Sequence, residues 1–210
     1  MSFSEQVKKA AEQAIGIGRP SSDELVTLVN RRAPQRHHFE GDGKTPNNPR
    51  LPLLHYRDVL RSLDGLDPAA LCEALFAAHG WAGSWRNGIY PFLHFHTATH
   101  EVLGIARGSA HVQFGGDRGK TLALEAGDVV VLPAGTGHRR ISASDDLLVV
   151  GAYARGGDYD EARTGEVDLG TARARISKVP LPAQDPVYGK DGPLADAWRA
   201  ACESANTRNR

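Results

Sequence analysis

From residue 88 onward, apolar and polar positions alternate in short runs divided by glycine-containing turns. The runs 89–96, 101–107, 109–114, 120–125, 128–132, 138–143 and 147–154 are rich in β-branched and other apolar residues, and such a series predicts an antiparallel barrel or jelly roll. No repeat of 20–50 residues is present.

The flanks carry a different period. Val7, Ala11, Ala14 and Ile15 recur at helical spacing, and Ser21 followed by Glu24 forms a capping-box pattern before Leu25, Leu28 and Val29. Two short N-terminal helices are expected, as a clamp on the barrel or an arm to a second copy. Residues 41–52, rich in Gly, Pro and Asn, read as a structured loop. Asp67 as N-cap, Pro68 at the first helical position and Gly80 after His79 bracket a helix with Leu71, Leu75 and Phe76 on one face. The last third is proline-rich near 180–193 and ends in a helix around Leu194–Cys202 carrying Trp198, with a frayed tail from Glu203 to Arg210. The expected organisation is a helical N-terminal extension over 1–35, a β-barrel over 36–160 with its helix near 67–79, and a C-terminal extension over 161–210 packing on the barrel.

Composition narrows the function. The 210 residues hold 25 Lys plus Arg and 25 Asp plus Glu, a formal charge of zero, so no net field favours nucleic acid or an anionic membrane. No apolar run approaches the roughly 20 residues that cross a bilayer. Glu5, Lys8, Lys9 and Glu12 interrupt the N-terminal apolar residues, so no signal-peptide core is present and a cytoplasmic protein is expected. Cys72 and Cys202 have no C-x-x-C partner, which argues against a zinc cluster and a disulfide scaffold.

The chemistry concentrates in two segments. His94 and His96 are two apart, so on a strand both imidazoles point to one side, together with Tyr90 and Phe92. After a short turn, Glu101 opens the returning strand. Gly127–His138 reads as a β-branched strand, a Pro/Gly turn and a histidine entering another strand. Three imidazoles and one carboxylate could converge from neighbouring strands as a metal site. Other motifs fail. His100-Glu101 lacks the second histidine of a zinc helix, since Gly104 stands there, and Gly115–Thr121 has Phe114 where a phosphate loop begins with glycine. That stretch reads as a hairpin turn.

These two segments resemble the motifs of the cupin superfamily. The first, G-x5-H-x-H-x3,4-E-x6-G, is filled by Gly88, His94, His96, Glu101 and Gly108. The second, G-x5-P-x-G-x2-H-x3-N, is filled by Gly127, Pro133, Gly135 and His138, with Ser142 at the last place instead of Asn. Pro46–Leu54, Gly80–Tyr90, Pro180–Pro182 and Asp185–Val187 are further similar to the uncharacterised bacterial cupins of the YjlB type, a likeness covering roughly residues 36–200. The resemblance implies a mainly β fold, a single cupin (RmlC-like jelly-roll) barrel with flanking N- and C-terminal helices. It also implies that His94, His96, Glu101 and His138 are metal ligands. Six residues separate Glu101 from Gly108, which puts Glu101 rather than His100 at the third ligand place. Alternation turns His100 to the opposite face, as a surface or interface histidine. His37, His38, His55, His79 and His111 are expected to be surface or satisfied core residues.

Such a donor set suits one divalent transition metal, Fe, Mn, Ni, Zn or Cu, and in six-coordinate geometry leaves two positions for substrate and for dioxygen or water. Alternation places Tyr90, Phe92, Leu103, Ile105 and Arg140 on the wall. Tyr90, Phe92 and Arg140 are the candidate substrate-binding residues, and Arg140 would make the ligand an anionic small molecule by pairing with a carboxylate or enolate. Three functions stay open: a dioxygenase-like oxidoreductase, a metal-dependent isomerase, epimerase or decarboxylase, and a non-catalytic ligand-binding or sensor cupin. The expected partners are a small molecule and a second copy in a homodimer, the N-terminal helices and His37–Phe39 offering an arm; nucleic acid and membrane are not expected.

Overall fold

The structure, a computed structural model, describes Leu25 and residues 27–61, 66–154 and 159–208. Among the described residues eleven strands form two antiparallel sheets. The larger runs β1 (Gln35–His37), β2 (Leu53–Tyr56), β8 (Val129–Leu132), β5 (Glu101–Arg107), β10 (Leu148–Ala154) and β3 (Trp81–Asn87). The smaller runs β11 (Ala162–Arg163), β4 (His94–Phe95), β9 (His138–Ala143), β6 (Ser109–Phe114) and β7 (Lys120–Glu125). Two facing sheets of this kind make the jelly roll that the alternation predicts.

Between the sheets lies one core. Leu53, Leu103, Ile105, Val130, Leu132 and Val149 from the larger sheet meet Ala110, Val112, Phe114, Leu122 and Leu124 from the smaller. The larger sheet is also covered on its outer face. There Tyr56, Val102, Ala106, Val131, Val150 and Ala152 pack under helix α1 (Pro68–Ala78) and helix α3 (Pro193–Arg208), which contribute Leu71, Cys72, Leu75, Phe76, Leu194 and Trp198. This explains why β5 and β8 read as nearly unbroken apolar runs: both of their faces are buried. Gly104 on β5 admits α1, because a Cβ there would lie 2.9 Å from Cys72 Sγ and 3.0 Å from the Phe76 ring.

Helix α1 begins as its sequence dictates, with the Asp67 carboxylate accepting from the Ala69 N–H and Pro68 in the first turn, and Gly80 at φ +79° turns the chain beyond its end. The 41–52 loop is held by Asn47, whose amide donates to the carbonyls of Glu40 and Gly115 and accepts from the Gly137 N–H. Gly115 and Gly116, both at positive φ, turn β6 into β7 as a hairpin.

Several expectations are corrected. The 89–96 run pairs as a strand only at His94–Phe95, since Pro91 has no N–H to give a ladder. Strands β1, β2, β3 and β11 and helix α2 (Leu169–Ile176) were not anticipated. Helix α3 continues to Arg208 instead of fraying after Cys202. His37–Phe39 is no free arm: β1 pairs with β2 of its own chain, and the Phe39 ring covers Gly115. The two N-terminal helices fall outside the described residues, apart from helical Leu25 and Thr27; Leu25 and Leu28 are buried in the same apolar cluster as the α1 residues. No described helix is long and apolar enough to cross a membrane.

Candidate metal centre

Strand pairing builds the site. His94 on β4 is registered directly against His138 on β9, so their side chains emerge on one face, with ring centroids 4.0 Å apart. His96 follows two residues on, and one ring nitrogen from each of His94, His96 and His138 lies within 4.8 Å of the others. All three are buried. Glu101, at the start of β5 in the opposite sheet, brings Oε2 to 3.4 Å from Nε2 of both His96 and His138.

Each imidazole is fixed by its other nitrogen. Nδ1 of His94 bonds the Phe92 carbonyl at 3.2 Å, Nδ1 of His138 bonds the Thr136 carbonyl at 3.1 Å, and Nδ1 of His96 bonds the Asp160 carbonyl. A carbonyl can only accept, so Nδ1 carries the proton and Nε2 is left with a lone pair. Asp160 also anchors the turn itself: its carboxylate accepts from the N–H groups of Thr97 and Ala98 at 2.8 Å and from the Thr97 hydroxyl at 2.6 Å. Burial opposes that charge, but the bonds from Thr97 and Ala98 outweigh it and hold the Asp160 carboxyl below its ordinary range.

The electrostatics call for a cation. Glu101 Oε2 is enclosed and makes no hydrogen bond. Burial, then the neighbouring imidazoles, lower the pKa of His138 and of His94. At His96 burial works the same way, yet the charge of Glu101 prevails and pushes it up to about 9. A positive charge beside Glu101 is favoured, and one metal ion on the three Nε2 lone pairs would supply it to all four residues. An orphaned buried carboxylate oxygen facing three imidazole lone pairs fits a divalent transition ion.

A cavity of about 320 Å³ opens above these groups. Its wall includes Tyr90 and Leu103, as expected, and also Trp85, Ile89, Tyr153, Tyr159 and Glu161. Tyr153 is registered opposite Glu101, and its hydroxyl accepts from the Trp85 indole N–H at 3.0 Å. Burial, then the Glu101 charge, push the Tyr153 phenol well above its ordinary pKa. Gly151 makes room for Trp85: a Cβ there would lie 2.2 Å from the indole. The sequence pattern does not single out these aromatic residues, because the register that sets Tyr153 opposite Glu101 exists only in the folded sheet.

Other candidates fall elsewhere. Ile105 belongs to the core between the sheets. Phe92 does not line the cavity but stacks behind Tyr90 at 4.7 Å. Arg140 does not line it either. It shares the inner face, opposite Val112, but its N–H donates to the Tyr90 carbonyl, so the 88–92 segment runs alongside β9 and Tyr90 takes the wall position. His100 does turn away from the site, but it is no surface residue. It is 1% exposed, with its ring centroid 4.7 Å from that of Trp198 and the planes 50° apart, with Nδ1 accepting from the Ala134 N–H, and burial lowers its pKa to about 3.

Comparison with known proteins agrees with this architecture. A cupin family model matches residues 58–179. The uncharacterized protein YjlB of Bacillus subtilis (strain 168) is 39% identical over 167 residues, which cover 80% of this chain and 98% of that protein. Among solved structures, oxalate decarboxylase of Bacillus subtilis is 20% identical over 57% of this chain and 29% of its own, with a TM-score of 0.33. Acireductone dioxygenase of Bacillus anthracis, solved with a cadmium ion in its active centre, is 19% identical over 39% of this chain and 56% of its own, with a TM-score of 0.30. The match of the family model across the strands that carry the three histidines, together with the near full-length likeness to YjlB, shows that the chain belongs to the cupin family, as a cupin of the YjlB type.

Proposed function

We propose that this protein is a metal-dependent enzyme acting on a small organic molecule, an oxidoreductase of the dioxygenase kind. The observation that carries the reading is the unpartnered Glu101 Oε2 facing three tethered histidines at the floor of a cavity of about 320 Å³. His94, His96, Glu101 and His138 would hold the ion, and four protein donors leave two positions of an octahedron for other ligands. When bound, Fe, Mn or Ni would supply redox chemistry with dioxygen, and any divalent ion there would polarise a substrate oxygen. The protein's own part is to orient and to exclude water. The carbonyls of Phe92, Thr136 and Asp160 fix the imidazole tautomers, while Trp85, Ile89 and Leu103 keep the wall apolar.

One observation favours a second reading. Glu161 is a wall carboxylate outside the four donors, able to take a proton from a bound substrate and return it elsewhere, as a metal-dependent isomerase, epimerase or decarboxylase requires. Metal analysis of protein purified without added metal, followed by a screen of small carboxylates, phenols and sugars under air and under nitrogen, decides between them. Turnover with oxygen uptake supports the first reading, and turnover that persists under nitrogen supports the second. Protein without bound metal and without turnover would leave a ligand-binding or sensor role in their place.

A further inference from the structure

The rim of the cavity carries a second kind of information. Tyr90 and Tyr159, 47% and 56% exposed, are two of the three large hydrophobic side chains left in solvent among the described residues, and both line this one cavity. Each is held by a second aromatic ring. Tyr90 stacks on Phe92 at 4.7 Å, and Tyr159 stacks on Tyr153 at 4.6 Å with the planes 11° apart. Both also meet the metal-site imidazoles edge-on, Tyr90 against His94 at 5.3 Å and Tyr159 against His96 at 6.0 Å. Flat rings that are braced from behind yet open to solvent, directly at a donor cluster, are surfaces for another ring.

Charge limits what that ring can carry. Among the described residues Arg86 is the one Lys or Arg on the wall, and it is already spent: its Nε and one terminal nitrogen bond Glu73 at 2.8 and 2.9 Å, and the other bonds Asp67 at 2.8 Å. Arg163 lies over Phe92 at 4.0 Å and 3.8 Å from Glu161, off the wall, and Arg140 is off the wall as well. Glu161 would repel a carboxylate held near it.

Resting on the metalloenzyme reading of the same site, we propose that the cavity takes an uncharged ring-bearing molecule, a phenol by chemical class, whose ring stacks on the tyrosines of the mouth and whose hydroxyl turns toward the histidines. This replaces the anionic ligand that the position of Arg140 in the sequence suggests. The surface selects the ring face, and the donor cluster below selects the oxygen.

The test is a set of binding titrations by ligand-observed nuclear magnetic resonance with phenol, cyclohexanol and benzoate, on metal-free and on zinc-loaded protein. Phenol and cyclohexanol share the hydroxyl and differ in the π face, and benzoate keeps the ring but adds the charge. In metal-free protein phenol should bind about tenfold tighter than either, on the scale of one or two aromatic stacks. Tyr90→Leu and Tyr159→Leu, which keep apolar bulk at exposed positions, should each remove about threefold of the preference over cyclohexanol. Arg140→Gln should leave the order of the three unchanged. Equal binding of phenol and cyclohexanol, or tighter binding of benzoate to metal-free protein, overturns the proposal. Because that arm contains no metal and no turnover, a failure of the ring preference is distinct from a failure of the metalloenzyme reading, which shows in metal content and catalysis.

Discussion

His94 and His138 face each other across β4 and β9 in direct register, so two histidines more than forty residues apart in the chain become one half of a donor set. Removal of either, or of His96 or Glu101, should lower metal occupancy of the purified protein sharply, as read by elemental analysis. His100→Ala should retain the metal. It should lose about 1–3 kcal/mol of stability in urea, because the buried Ala134 N–H would lose its acceptor and Trp198 its neighbour. Loss of metal from the His100 variant, with Glu101→Gln unaffected, would reverse the assignment of the fourth donor.

Asp160 acts on the site without touching its centre. Asp160→Ala removes the carboxylate that holds the Thr97 and Ala98 N–H groups, so the backbone carbonyl that tethers His96 loses its anchor and metal affinity should fall about 10–100-fold with the fold retained. Competition with a chelator at neutral pH measures this directly. Unchanged affinity with a normal circular dichroism spectrum would show that the carboxylate anchor is dispensable.

The buried pair His55–Asp128, 2.9 Å apart and 3% and 4% exposed, binds β2 to the turn entering β8. Asp128 also accepts from the N–H of Asp58. Burial opposes its charge, but His55 and the Asp58 N–H outweigh it, so its folded pKa lies below the unfolded one. A depressed carboxylate contributes stability at every pH above its unfolded value, near 4, and that contribution is lost as pH falls from there through the folded value. Asp128→Asn should therefore be less stable by about 3 kcal/mol at pH 7, with the gap to wild type narrowing below about pH 4. A gap that stays constant down to pH 2 would refute this assignment.

Gly151→Ala should move Trp85, since the added Cβ would fall 2.2 Å from the indole. The indole N–H then loses the Tyr153 hydroxyl, and the wall of the cavity changes while the four donors remain. The expected outcome is altered tryptophan fluorescence and altered ligand affinity at unchanged metal content. Identical fluorescence would mean that the strand yields instead of the ring.

We also expect a homodimer, because β1, β3, β7 and β11 end their sheets and strand edges need covering. Light scattering at high concentration should give twice the monomer mass, and a monomer mass there would exclude it.

The sequence by itself determined what depends on neighbours along the chain. Alternation puts His94 and His96 on one side, turn residues place Glu101 and His138 at the starts of new strands, and Asp67, Pro68 and Gly80 delimit α1. Such features need only local φ/ψ preferences and a period of two or 3.6 residues. Tertiary structure alone decided depth, cover and company. Arg140 shares the face of His138, yet two residues along a strand is a step of nearly 7 Å, and the 88–92 segment, bonded to β9 at that step through the Tyr90 carbonyl, puts Tyr90 and not Arg140 on the cavity wall. His100 points away from the metal site as alternation requires, but a helix nearly a hundred residues later turns that face into core. Asp160, Trp85, Tyr153 and Tyr159 reach the site through strand pairings and turns made far from the two motifs. A one-dimensional pattern specifies which way a side chain points; what it meets there depends on how distant segments pack.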